Sequence, residues 1–162
     1  MPGVSATFHS GAVVKRALLA LPLLLAPALC AQTAFGLRFG TDFDSNGRDL
    51  TRNTVGAILT RSLSTHWQVT GSLALYPTVN DGAVWASADL RYRPPVVASL
   101  FYLATGATLA DHGAAKNKAG ADLALGLDPR VGGTFRPFAE GKWVIYRWYT
   151  SFTVQGGLAV EL

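Results

Sequence analysis

The chain has few charged residues for its length. Only 15% of its 162 residues are Asp, Glu, Lys or Arg, compared with about a quarter in ordinary soluble domains. A soluble all-β protein of this size needs a charged exterior, and this composition does not supply one. The scarcity of charge therefore favours a surface that faces lipid. No dense run of Lys and Arg occurs either, so nucleic acid is not an expected partner despite the net charge of +4.

Cysteine is nearly absent, since Cys30 is the only one. One cysteine excludes an intramolecular disulfide and a metal site built from several cysteines. The aspartates near the predicted loops lack the spacing of a calcium-binding loop. We therefore expect no metal ion and no other cofactor.

Long apolar runs are also missing. The longest run, residues 17–29, follows two basic residues and ends among small ones. It is shorter than the roughly twenty residues of a membrane-spanning helix, and it is typical of the core of a signal peptide. We predict a cleaved signal peptide over residues 1–30 and a single mature domain over residues 31–162.

The chain is instead dominated by alternation with a period of two residues. In the last segment Val154, Leu158 and Val160 fall on one face of an extended strand, and polar or small residues fall on the other. About eight such segments of roughly ten residues, separated by turn residues, predict a small transmembrane β-barrel. The predicted strands are 35–44, 55–62, 67–76, 84–92, 101–108, 120–126, 135–145 and 152–162.

The connections between these segments are mostly short. Two polar stretches, 45–53 and 111–118, are predicted to be the longer loops. Pro137 falls inside the seventh segment, although a proline cannot donate to the hydrogen-bond ladder. We expect a bulge at that position or a later start of the strand.

Alternation alone does not tell which face is outside, because a soluble barrel with an apolar interior alternates as well. The polar face carries mostly Gly, Ala, Ser and Thr, and its few charges nearly balance. An eight-stranded barrel leaves an interior that side chains just fill, and buried charges need partners. We therefore predict an apolar face against lipid and a network of paired charges in the lumen. The predicted network is Arg38, Asp42, Asp89, Arg91, Asp122, Arg136, Glu140, Lys142 and Glu161.

The aromatic residues gather near the two ends of the predicted strands. Interfacial Trp and Tyr produce such belts at both surfaces of a membrane, which supports the lipid-facing interpretation. The predicted periplasmic belt is Phe35, Trp67, Tyr92, Phe101 and Phe135. The predicted belt at the opposite end is Phe43, Trp143, Tyr146, Trp148 and Tyr149.

This architecture resembles the small eight-stranded outer-membrane barrels of the OmpA transmembrane-domain and OmpX type, over Phe35 to Leu162. The resemblance lies in the pattern, and Leu162 stands where such barrels usually end in an aromatic residue. It implies a monomer in the bacterial outer membrane, in contact with membrane lipid and lipopolysaccharide and inserted by the outer-membrane assembly machinery. The implied role is non-catalytic: envelope integrity, anchoring or surface contact.

Two alternatives remain open. Some eight-stranded barrels are lipid A acylases or deacylases, whose chemistry needs a nucleophile, a base and an orienting acid within hydrogen-bonding reach. After the leader only two histidines could act as the base. His66 falls in a predicted periplasmic turn, and His112 lies in the second polar loop beside Asp111. The other alternative is a soluble periplasmic barrel that binds an apolar ligand.

Overall fold

The computed structural model describes residues 32–44, 52–77, 83–95, 100–112, 115–129, 133–147 and 149–162, without the side chains of residues 44, 112 and 115–117. The predicted signal peptide and its cleavage point lie outside these residues, as does Trp148. Among the residues that are described, no helix is long and apolar enough to cross a membrane.

The strands form one closed antiparallel barrel in which each pairs with its neighbours in the sequence. β1 closes the barrel by pairing with β8, from Ala34↔Glu161 to Asp44↔Ser151, so the sheet has no free edge. The prediction of an all-β, eight-stranded up-and-down barrel is confirmed. The strands are β1 (Thr33–Asp44), β2 (Arg52–Ser62), β3 (Trp67–Leu75), β4 (Val84–Tyr92), β5 (Phe101–His112), β6 (Ala115–Leu127), β7 (Phe135–Tyr146) and β8 (Thr150–Glu161).

The up-and-down topology gives the barrel two distinct ends. The start of β1, the end of β8 and the connections after β2, β4 and β6 lie together, and we call this the terminal end. The connections after β1, β3, β5 and β7 lie at the opposite end, which we call the loop end. The direction of each strand therefore tells which end of the barrel a residue is near.

The two faces of the sheet differ in polarity. Leu37 is 55% exposed on the outer face of β1, whereas its neighbour Arg38 is 1% exposed on the inner face. Most large apolar side chains point outward in the same way, and most charged ones point inward. This is the reverse of a soluble barrel that holds an apolar ligand, and it makes the polar face the core of the molecule.

The hairpin of β5 and β6 is longer than its sequence predicts. β5 continues to His112 and β6 begins at Ala115, so the prediction of a loop over 111–118 is wrong. The pairing is irregular between Ala110 and His112. The alternation of apolar residues in the sequence ends before the strands do, so the pattern by itself does not predict this part of the hairpin.

Pro137 lies inside β7 without a bulge, so neither of the two expected solutions occurs. It pairs with Leu158 of β8, while the pairing of β7 with β6 ends at Leu127↔Ala139. Pro137 therefore has a strand neighbour on one side only. A proline is tolerated at such a position, because no ladder bond is required on the open side.

Candidate functional site in the barrel lumen

The alternation of side chains along the strands places all nine charged residues predicted for the lumen on the inner face of the barrel. Asp42 is half-buried near the loop end and Glu161 is half-buried near the terminal end. The other seven are at most 4% exposed: Arg38, Asp89, Arg91, Asp122, Arg136, Glu140 and Lys142. Buried charges are costly unless they are paired and hydrogen-bonded, so the partners of each group matter.

Glu140 on β7 binds side chains from three other strands. Arg91 on β4 donates to its carboxylate at 3.0 Å, and Tyr102 on β5 donates through its hydroxyl at 2.6 Å. Gln155 on β8 donates to the other carboxylate oxygen. The Arg91 guanidinium also lies over the Tyr102 ring, 4.3 Å from its centroid. These contacts join β4, β5, β7 and β8 across the lumen.

Lys142 on β7 joins two carboxylates. Its ammonium nitrogen lies 2.7 Å from Asp89 of β4 and 3.7 Å from Asp122 of β6. Thr108 donates to Asp122 at 2.6 Å, and Ser87 donates to Asp89 at 3.2 Å. One cation is thus shared by two acids, and hydroxyl groups provide further hydrogen bonds.

Asp128 is the centre of a third group of charges, at the terminal end. It accepts hydrogen bonds from Arg93 and from Arg136, the latter at 2.5 Å and 3.2 Å. Arg136 also donates to Glu161 at 3.2 Å, and Arg93 donates to Gln68 at 3.2 Å. This group places alternating charges at the terminal end of the lumen.

Arg93 and Asp128 were not among the predicted lumen charges. Each lies one residue past the end of its strand and keeps the inward phase of that strand. If the two-residue alternation is continued past the strand ends, from Arg91 to Arg93 and from Gly126 to Asp128, the sequence predicts both as lumen residues. Tyr102 also has the inward phase of its strand, but alternation alone gives no sign that its hydroxyl binds a lumen charge.

Arg38 has no carboxylate partner within ion-pair distance among the described residues. Its guanidinium donates to Ser72 at 3.0 Å and lies over the ring of Trp85, 4.3 Å from the centroid. Ser72 contacts Ser87 at 2.9 Å, and Ser87 in turn bonds Asp89. Two serine hydroxyls therefore connect Arg38 to Asp89.

Asp42 binds hydroxyl groups. It accepts hydrogen bonds from Tyr76 at 3.0 Å and from Thr153 at 3.1 Å, and another from Ser151. Tyr76 follows the last residue of β3, and its side chain is buried. Hydroxyl groups from β8 and from the end of β3 thus provide the partners of Asp42.

Glycine makes room for the large side chains of the lumen. A Cβ at Gly126 would overlap the Tyr102 ring, and a Cβ at Gly157 would overlap the ring of Phe138. Both glycines lie on the inner face opposite these rings, so the aromatic residues fill space that the glycines leave. Little empty volume remains. One cavity of about 10 Å³, lined by residues that include Arg91, Asp128 and Phe138, has room for about one water molecule.

Aromatic side chains lie at both ends of the outer face. The rings of Trp67 and Tyr92 are 4.8 Å apart near the terminal end, and those of Trp143 and Phe152 are 4.7 Å apart near the loop end. The structure also places Phe35, Phe101, Phe135 and Phe43 on the outer face.

Tyr146 does not belong to this outer set, and its prediction as a belt residue is wrong. Its side chain points into the lumen and is 8% exposed, because it shares the inward phase of Lys142 and Val144. Tyr149 is half-buried and packs against the buried cluster that contains Tyr146. The Lys118 ammonium nitrogen lies 4.5 Å from the centroid of the Tyr149 ring.

Of the two histidines considered for catalysis, the structure describes the imidazole of His66. The imidazole of His66 lies at the terminal end, where its Nδ1 is 3.2 Å from the backbone carbonyl oxygen of Arg93. His112 is the last residue of β5, and its side chain is outside the described part of the structure. Within that part, no cluster of three or more His, Cys, Asp or Glu residues has the arrangement of a metal site.

Comparison with known proteins shows the class of fold. No family model and no curated protein matches the chain. The N-terminal β-barrel domain of Pseudomonas aeruginosa OprF is similar, with a TM-score of 0.63 and 12% identity over 82% of this chain and 100% of that one. The attachment invasion locus protein Ail of Yersinia pestis gives 0.52 and 12% over 82% and 97%. The designed protein TMB2.3 gives 0.54 and 13% over 83% and 98%.

The chain thus has the fold of the small eight-stranded outer-membrane barrels, among them OprF and Ail. At these identities the similarity concerns the fold, and the barrel matches those chains over nearly their whole length.

Proposed function

We propose that this protein is a non-catalytic outer-membrane β-barrel with a polar lumen filled by side chains, which acts in envelope integrity, anchoring or surface contact. The observation that carries the proposal is the combination of an exposed apolar outer face with a buried network of charges. A water-soluble protein would leave the outer face in contact with water, whereas a bilayer solvates it.

The aromatic pairs at the two ends of the outer face support the same placement. Trp and Tyr favour the interface between hydrocarbon and water, and the pairs Trp67–Tyr92 and Trp143–Phe152 lie at opposite ends of the barrel. Export by the leader, insertion by the outer-membrane assembly machinery, contact with lipopolysaccharide and a monomeric state belong to the same proposal.

A catalytic role has less support. Each of the nine lumen charges bonds another lumen side chain, and the cavity beside Arg91 and Asp128 admits about one water molecule. Among the described side chains, the imidazole of His66 lies against a backbone carbonyl oxygen and not against the serine and acid that acyl transfer needs.

Fractionation of cells that express the chain tests the proposal. We expect the protein in the outer-membrane fraction, soluble only with detergent, and with a gel mobility that changes on boiling. A variant that ends after Ile145 lacks β8 and cannot close the barrel, so it should lose the heat-dependent mobility. Recovery of the intact protein from the periplasm without detergent would reject the proposal.

A further inference from the structure

The lumen is polar along most of its length but contains one largely apolar layer near the loop end. Tyr76, Trp85 and Tyr146 are at most 8% exposed and belong to a single buried cluster. The cluster is completed by small or aliphatic side chains from β3, β5 and β7 and from the residue before β4, namely Ala74, Ala83, Ala110 and Val144.

This cluster extends across the barrel. Tyr76 follows β3 and Tyr146 ends β7, and these two strands lie on opposite sides of an eight-stranded barrel. Residues from opposite sides can share one buried cluster only if they meet over the middle of the lumen. Next to Tyr76, Asp42 and its hydroxyl donors from β8 occupy the sector between β8 and β1.

The groups on the two sides of this layer differ. On the side of the terminal end, Arg38 and Lys142 both lie against Trp85, with the guanidinium carbon and the ammonium nitrogen 4.3 Å and 5.1 Å from the ring centroid. Below them the lumen is polar, and buried atoms such as Asp89 Oδ1, Asp122 Oδ1 and Arg91 Nε have no protein partner among the described residues.

We propose that the layer formed by Tyr76, Trp85 and Tyr146 is the barrier that prevents ions from crossing the lumen. The polar part of the lumen has side-chain atoms that can replace the water of an ion. The aromatic layer presents mostly ring carbons, and the hydroxyl of Tyr76 is already bound to Asp42. Hydrophobic constrictions close pores for this reason. The inference rests on the proposed function, because a barrier across the lumen has meaning only when the barrel lies in a membrane.

Ion flux into vesicles tests this assignment. The protein is reconstituted in phospholipid vesicles that contain a potassium-sensitive dye. We expect wild-type flux near that of empty vesicles, and a rise of about tenfold or more in Trp85→Ala/Tyr146→Ala, because the apolar constriction is removed. Trp143→Ala, which removes an aromatic ring from the outer face of the same strand as Tyr146, should leave the flux at the wild-type value.

The ion pairs provide the opposing test. If the ion pairs form the barrier, Arg136→Gln should raise the ion flux and Trp85→Ala/Tyr146→Ala should not. That outcome would overturn the inference. A wild-type flux as high as that of the double variant overturns it as well. Heat-dependent gel mobility reports insertion separately, so a barrel that fails to enter vesicles counts against the proposed function.

Chemical modification gives a second measurement that does not depend on the folding of the double variant. Ser87 lies on the inner face of β4, two residues from Trp85 on the side of the terminal end. In protein that lacks residues 1–30, Ser87→Cys should resist a small charged thiol reagent added at the loop end. Adding Tyr146→Ala should make it reactive. Rapid modification of Ser87→Cys with the aromatic layer intact overturns the inference.

Discussion

Lys142 is a single residue that neutralises two buried carboxylates in the lumen. It is fully buried, and its ammonium group lies between carboxylates that come from β4 and β6. Neither acid has another cationic partner within ion-pair distance in the described structure. Removing the lysine would therefore leave two buried acids facing each other.

Replacing this lysine tests the balance of charges. Lys142→Met keeps much of the side-chain volume but removes the cation, and we expect a loss of about 3–5 kcal/mol in the free energy of unfolding, as for other broken buried pairs. Urea unfolding in vesicles measures it. Lys118→Met is the matched control, because Lys118 is half-buried at the loop end and should contribute less than about 1 kcal/mol. Equal effects of the two variants would contradict the argument.

Gly126 is the second residue-scale test, and it concerns packing. A Cβ at this position would overlap the buried Tyr102 ring, which Glu140 and Arg91 hold in place. Gly126→Ala should therefore destabilise the barrel by about 1–3 kcal/mol, the usual cost of overpacking. Gly141→Ala is the control on the outer face, where the new Cβ would meet Phe152 at an ordinary 3.4 Å. Denaturant midpoints of both variants decide whether the glycine is needed for space.

At the scale of the strand, the alternation of burial assigns each side chain to lipid or to lumen. In β3, Leu73 is 43% exposed, while the neighbouring Ala74 is fully buried. A single polar residue on the outer phase would therefore be exposed to hydrocarbon. Backbone pairs with β2 and β4, such as Leu73↔Ala57 and Leu73↔Ala86, fix the register of β3. A shift of one residue, which would turn the substituted side chain inward, would break these pairs.

Leu73→Arg measures the surroundings of this strand. If the outer face meets lipid, the variant should lose up to about 2–4 kcal/mol of stability, the penalty for arginine near the middle of a bilayer. Leu63→Arg changes an exposed leucine in the turn after β2 and should cost close to nothing. Unfolding titrations in vesicles compare the two, and a neutral Leu73→Arg would speak against a lipid-facing outer surface.

At the scale of the whole molecule, closure of the sheet gives the barrel one outer face and one inner face, to which all eight strands contribute. β1 and β8 satisfy each other's backbone groups over the length of both strands, as a membrane-spanning sheet requires. The apolar outer face then forms a continuous band around the barrel. Its continuity can be tested at points on different strands.

Spin labels at Leu37, Leu103, Leu123 and Val154 sample this band on β1, β5, β6 and β8. All four should be accessible to oxygen dissolved in the lipid and shielded from a water-soluble relaxation agent. A label at Ser72, on the inner face, should be shielded from both, because the lumen is packed. Aqueous accessibility at the four outer positions would show that the band does not face lipid.

Sequence alone determined the class of fold, the approximate position of every strand and the inward phase of the nine charged residues predicted for the lumen. These properties are local, because a period of two residues follows from the geometry of the strand itself. The same reasoning failed at His112, where the pattern ended before the strand did, and at Asp128, where the inward phase continued one residue past the strand. It also misplaced Tyr146, whose nearness to a strand end outweighed its inward phase.

Only the tertiary structure decided which residues meet across the lumen. Alternation puts Arg91 and Glu140 on the same face, but their contact depends on the closure that brings β4 near β7. Closure likewise placed Arg38 against Trp85, with two serine hydroxyls between its guanidinium and Asp89. It also brought Tyr76 and Tyr146 into one buried layer. The identity of opposing strands depends on stagger and side-chain volume around the whole barrel, and no local pattern contains that information.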